Sequence, residues 1–153
     1  MALPLTAPTS AQIYANLSAL ASTLKSDCAS VQQAASIGNV NCQMVLRLLN
    51  DTVALLTYAQ QIAADSAVTA SLVAYMGTTG ASTTTATTDF ANSIAALQAL
   101  VAAIAKDYPV DANGHMLDHT LNATTGAVSW LSLTPAQLSN TLPAITAWLA
   151  TVD

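Results

Sequence analysis

The stretch Thr9 to Ala35, TSAQIYANLSALASTLKSDCASVQQAA, decides the fold class. Its first four residues form a capping box, in which the Thr9 hydroxyl accepts a backbone N–H near Gln12 and the Gln12 side chain reaches back. Apolar residues then recur at Ile13, Leu17, Leu20, Leu24, Cys28, Val31 and Ala35. This 4-3-4-4-3-4 spacing keeps one helical face apolar. Ile37-Gly38-Asn39 supplies a stop, with glycine at the C-terminal cap. Ahead of the stretch, residues 1–8 carry Pro4 and Pro8 and read as an extended lead-in. They have neither the basic region nor the apolar run of a signal peptide.

Downstream, a second helix is expected from about Val40 to Ala64. Val45, Leu49, Val53 and Leu56 share one face, and Leu46, Leu48 and Leu55 widen the stripe. A break near Asp65-Ser66 precedes a further helical piece, Val68 to Met76. Residues 77–88, GTTGASTTTATT, are low-complexity and polar and read as a loop, with Asp89 placed to cap the next helix. There Phe90, Ile94, Leu97, Val101, Ile104 and Tyr108 follow a 4-3-4-3-4 spacing, a heptad seam that wants a partner helix and ends at Pro109. In the hairpin region, residues 111–133, Asn113-Gly114 marks a turn and Gly126 closes a second one. Leu117, His119 and Leu121 alternate before that second turn, and Val128 and Trp130 after it, as in a β-hairpin with a four- or five-residue connection. Thr134-Pro135-Ala136-Gln137 opens the last helix with Thr as N-cap and Pro at N1. Leu138, Leu142, Ile145, Leu149 and Val152 form its buried face, and Pro143 should kink it. The expected architecture is mainly α: a single domain over residues 1–153, a bundle of four to five helices with one β-hairpin between the last two.

Composition narrows the function. Of 153 residues, 53% are hydrophobic and only 7% charged, against about 25% in an average soluble domain. Alanine (32) and threonine (20) fill the gap. Three Lys plus Arg against eight Asp, with no Glu, leave a net charge of -5. A chain so poor in cations is not built to neutralise phosphates or anionic lipid, which argues against nucleic-acid and membrane-surface partners. The most apolar stretch, Phe90 to Ala105, is short of the roughly 20 residues of a spanning helix and holds Asn92, Ser93 and Gln98. Few titratable groups leave little for enzyme chemistry, so a non-enzymatic role without metal or cofactor is expected. Low charge also removes a device that keeps monomers apart, so self-association is expected as well.

Each chemical-looking feature has a plainer reading. His115-Met116-Leu117-Asp118-His119 echoes the H-x-x-E-H metallopeptidase order. On a strand, however, its imidazoles stand about 13 Å apart, so solvated or interface histidines are expected. Asp107 and Asp111 flank Pro109 as a possible carboxylate pair, more ordinarily a helix end and a turn. Cys28 and Cys42 are separated by the turn at Gly38 with a mismatch of roughly 9 Å in helical rise. Buried free thiols, suited to a reducing cytoplasm, are therefore expected. Three N-x-S/T sequons, at Asn16, Asn50 and Asn122, read as chance occurrences. Trp130 and Trp148 suit core or interface anchors.

The C-terminal third carries a resemblance. Tyr108-Pro109-Val110-Asp111-Ala112-Asn113-Gly114, Thr120-Leu121, Gly126 and Leu133-Thr134-Pro135-Ala136-Gln137 resemble small virion proteins of tailed bacteriophages, over about 45 of 153 residues. The resemblance implies a structural component of a phage particle on its head, neck or tail, made in the host cytoplasm and bound to copies of itself and to other virion proteins. The contact residues expected on this reading are Phe90, Ile94, Leu97, Val101, Ile104, Trp130 and Trp148, part of which must be intramolecular core. An alternative is a small secreted helical module that holds a lipid or another apolar ligand between its helices. A metal hydrolase using His115 and His119 is a third.

Overall fold

A computed structural model describes residues 9–78, 83–108, 112–113, 117 and 119–151. Five α-helices run in chain order: α1 (Ser10–Ser36), α2 (Cys42–Ala63), α3 (Ser66–Thr78), α4 (Thr83–Asp107) and α5 (Thr141–Leu149). Four short strands complete the fold: β1 (Val40–Asn41), β2 (His119–Leu121), β3 (Val128–Trp130) and β4 (Ser132–Leu133). The chain is thus a mainly α bundle with a β-hairpin, β2–β3, ahead of the last helix.

Local chemistry sets the helix ends. The Thr9–Gln12 capping box forms in both directions, at 3.1 and 2.8 Å. At the other end of α1, Gly38 takes φ +68°. The Asn39 N–H then reaches the Ala34 carbonyl at 2.8 Å and the Gly38 N–H reaches Ala35 at 3.1 Å. These are the two bonds of a Schellman stop, which needs a left-handed residue at this position. Asn41 caps α2 through the Met44 N–H, and Asp65 caps α3 through the N–H groups of Ala67 and Val68.

The main core joins α1, α2, α4 and α5 around Leu24, Leu48, Leu97, Leu100, Ile104 and Trp148, all fully enclosed. A smaller cluster of Ile13, Ile62 and Leu72 lies under α3. On α2 the buried face is Val45, Leu48, Thr52, Leu55, Ala59 and Ile62, rotated from the expected stripe, and Val53 faces solvent. The rotation escapes a hydrophobicity pattern because Thr52 is polar and Ala59 small. Thr52 is tolerated inside because its hydroxyl donates to the Leu48 carbonyl at 2.6 Å.

Two expectations need correction. Residues 77–88 are not a loop over the part that is described: Gly77 and Thr78 end α3, and residues 83–88 open α4. Each threonine costs at most about 0.7 kcal/mol in a helix, so the apolar face downstream can carry the helix back through them. Asp89 consequently lies inside α4 and does not cap it. The last helix is not one kinked rod either. Thr134 and Gln137 form their capping box on a short 3-10 helix, Pro135–Leu138, and the chain restarts at Thr141. Pro143 then falls in the first turn of α5, where a missing N–H costs no helical bond.

The restart is capped from elsewhere. Asn140 provides no side-chain cap for α5. Instead the Asp107 carboxylate, at the end of α4, accepts the N–H groups of Asn140 at 3.0 Å and Thr141 at 2.6 Å, and the Asn140 Nδ2 at 2.7 Å. Burial pushes the Asp107 carboxyl up, but these bonds outweigh it and hold it below the usual range. Asp107→Ala is expected to destabilise the fold by about 1–2 kcal/mol. Because the folded form holds this carboxyl below its unfolded value, the contribution is present above the ordinary Asp range and lost as pH falls. The gap in melting temperature between wild type and variant should therefore close in strong acid. A gap that persists there would contradict the capping role.

Candidate functional site

The hairpin is rooted in the bundle, and its described residues beyond the root are exposed. At its root, β1 pairs antiparallel with β4, Val40 opposite Leu133 and Asn41 opposite Ser132. Cys42 adds a backbone N–H to the Leu131 carbonyl at 2.7 Å, and its thiol donates to the Leu117 carbonyl at 3.7 Å. One buried residue thus holds the stem on both sides. Above it, His119 pairs with Trp130, Thr120 with Ser129 and Leu121 with Val128. The turn closes with Asn122 N–H to the Ala127 carbonyl at 2.9 Å and Gly126 N–H to the Asn122 carbonyl at 2.7 Å. Asn122 Oδ1 accepts the N–H groups of Thr124 and Thr125 within it, so this sequon asparagine shapes the turn.

Because side chains alternate along a strand, the register puts His119, Leu121, Val128 and Trp130 on one face and Thr120 and Ser129 on the other. This apolar face is left exposed: every described residue from 117 to 130 is exposed, Leu121 at 65% and Val128 at 58%. Trp130 is 37% exposed and takes its ring contact from His119, edge-on at 6.2 Å. A lone two-stranded hairpin is marginal in water. One that presents Leu, Val and Trp on a single face is the kind of patch that marks an interaction surface.

The expected contact residues fall in four places. Trp148, Leu97 and Ile104 are enclosed by their own chain, so they are core and offer nothing to a partner as the protein stands. Val101 is half-buried. Phe90, Ile94 and one edge of Leu97 line a cleft of about 250 Å³ between the first four helices, with Leu17, Leu55 and Met76 opposite. Trp130 alone of the set lies on the hairpin, joined there by Leu121 and Val128. Those two had an alternation signal in the sequence, but nothing local says that the alternating face stays uncovered.

The titratable groups are disposed as follows. His119 lies on β2, whereas His115, Met116 and Asp118 fall outside the described residues, as do Asp111, residues 1–8 and Val152. Among the described residues no three metal-ligating side chains stand together. Both cysteines are free and buried, and burial followed by the Asp27 charge pushes the Cys28 thiol up to about 12. Between α1 and α2, Asp27 confronts Asp51. Burial, then the hydrogen bond and charge of Asp51, push the Asp27 carboxyl up to about 7, against an opposing pull from Arg47. The folded form thus binds a proton that the unfolded chain releases near pH 3.8. Stability from this site is full below that value and drains away as pH rises to about 7. After allowance for solvent screening, Asp27→Asn should stabilise by about 1 kcal/mol at pH 8, or about 2–4 °C in melting temperature. It should have little effect at pH 4. Equal shifts at both pH values would refute the assignment.

No protein-family model, curated protein or solved structure matches the chain. By length and composition, Thr87–Asp107 with a mean hydropathy of 1.3 is apolar enough to cross a membrane. That run is longer than the sequence reading of Phe90 to Ala105 allowed, although Leu97, Leu100 and Ile104 within it are buried in the bundle.

Proposed function

We propose that this chain is a non-enzymatic structural component of a bacteriophage virion that docks through the apolar face of its β2–β3 hairpin. The observation that carries the reading is the hairpin itself: held at its root by Cys42, and apolar on a face that is exposed among the described residues. The sparseness of charge supports it, since with 7% charged positions few ionised side chains have to be desolvated when copies meet. Trp and other large apolar residues at the centre of a patch are typical anchors of protein–protein contacts. The C-terminal motifs favour a phage particle, and the exposed hairpin face favours attachment through it.

Light scattering on a size-exclusion column, without detergent, tests the reading. A mass well above 15.6 kDa, or co-elution with other particle proteins, is expected. A clean monomer at high concentration that does not bind particles would sink it.

A further inference from the structure

The cleft between α1, α2, α3 and α4 is separate from the hairpin, and its chemistry is selective. Leu17, Leu55, Met76, Phe90, Ile94 and Leu97 make its walls apolar. Its volume, about 250 Å³, exceeds the roughly 150 Å³ that accepts benzene in an apolar cavity and falls below the roughly 300–1,000 Å³ of drug-sized pockets. A single ring with a short tail is the right size. Among the described residues that line it, Asp89, exposed on α4, is the one charged side chain, and Ser18, Ser93 and Thr151 add hydroxyls to the lining. The three cationic residues of the whole chain, Lys25, Arg47 and Lys106, do not line it. An apolar trough with one carboxylate and no cation favours a positive head group and disfavours a carboxylate ligand.

We propose that this cleft is a binding site for a small cationic amphiphile, an aryl- or alkylamine whose apolar body lies against Phe90, Ile94 and Leu97 and whose ammonium pairs with Asp89. The site does not depend on the hairpin or on assembly.

Three probes of nearly equal shape separate the contributions: 4-phenylbutylamine, 4-phenylbutanol and 4-phenylbutyrate, titrated into the intact chain by calorimetry at pH 7. The amine should bind about fivefold more tightly than the alcohol and about tenfold more tightly than the acid, in line with one partly screened ion pair and its like-charge counterpart. Asp89→Asn, on an exposed position, should erase the preference and leave alcohol binding unchanged. Ile94→Trp should fill the trough and remove binding of all three. Should that variant lose its helical signal, Ser93→Leu does the same from the adjacent wall. Absence of saturable binding, equal affinity for amine and acid, or a preference that survives in Asp89→Asn would each overturn the proposal.

Discussion

Replacing Leu121, Val128 and Trp130 together by serine, threonine and serine is expected to abolish assembly and leave the bundle intact. All three sit on the exposed face of the hairpin and none belongs to either buried cluster. Their loss should therefore move the melting temperature by no more than about 2 °C, the range of an ordinary surface change. Binding should respond very differently. A buried Trp anchor costs about 2 kcal/mol or more when truncated, at least about 30-fold in affinity, and two further apolar neighbours are lost with it. Sedimentation or light scattering should show the assembled mass of the wild type collapse to a monomer, while circular dichroism keeps its helical signal. A variant that still assembles fully would place the contact elsewhere on the molecule. Thr120 and Ser129, on the opposite face, provide the control: changing both to alanine should leave assembly unaltered.

Trp148→Ala is expected to have the largest effect on stability. The side chain is wholly enclosed in the main core on α5, among Leu138, Ile145 and the buried residues of α4. Truncation leaves a cavity and costs about 3–5 kcal/mol, a large part of the 5–15 kcal/mol that holds a typical domain together. For a chain of this size the melting temperature should fall by about 6–20 °C. Trp148→Phe should be far milder. It fills most of the volume and removes an indole N–H that finds no hydrogen-bond partner among the described residues, so the lost packing is partly offset by a relieved desolvation penalty. Thermal unfolding followed at 222 nm reads both. If alanine were tolerated within about 2 °C, Trp148 could not be the anchor its burial indicates.

How much of this was legible in the sequence varies with the range of the interaction. The capping boxes of Thr9 and Thr134, the stop at Gly38 and the hairpin turn at Gly126 are written in three to six consecutive residues, and each forms. The apolar face of α1 also reads directly, because Ile13, Leu24, Cys28, Val31 and Ala35 of the periodic set are the positions that are buried. On α2 the face was misjudged because burial there includes Thr52 and Ala59, which no hydrophobic pattern selects. The threonine-rich run before Asp89 is polar enough to resemble a loop in composition, yet threonine only mildly disfavours a helix. At the candidate site, nothing local separates Trp130 from Trp148, which has the same chemistry and the opposite environment.

What the sequence determined alone is the type and approximate extent of the elements, since backbone capping, glycine geometry and the helical or strand period act over neighbouring residues. The tertiary structure decided which apolar residues are core and which are surface. Burial is a property of what lies across the chain, and packing fixed Trp148 inside and Trp130 outside. It also decided the cap of α5, where Asp107 reaches across 33 residues to Asn140. The anchoring of the hairpin by β1 and Cys42, more than 70 residues from Leu117, was settled in the same way. No local signal records these contacts, because each exists only once the helices have packed.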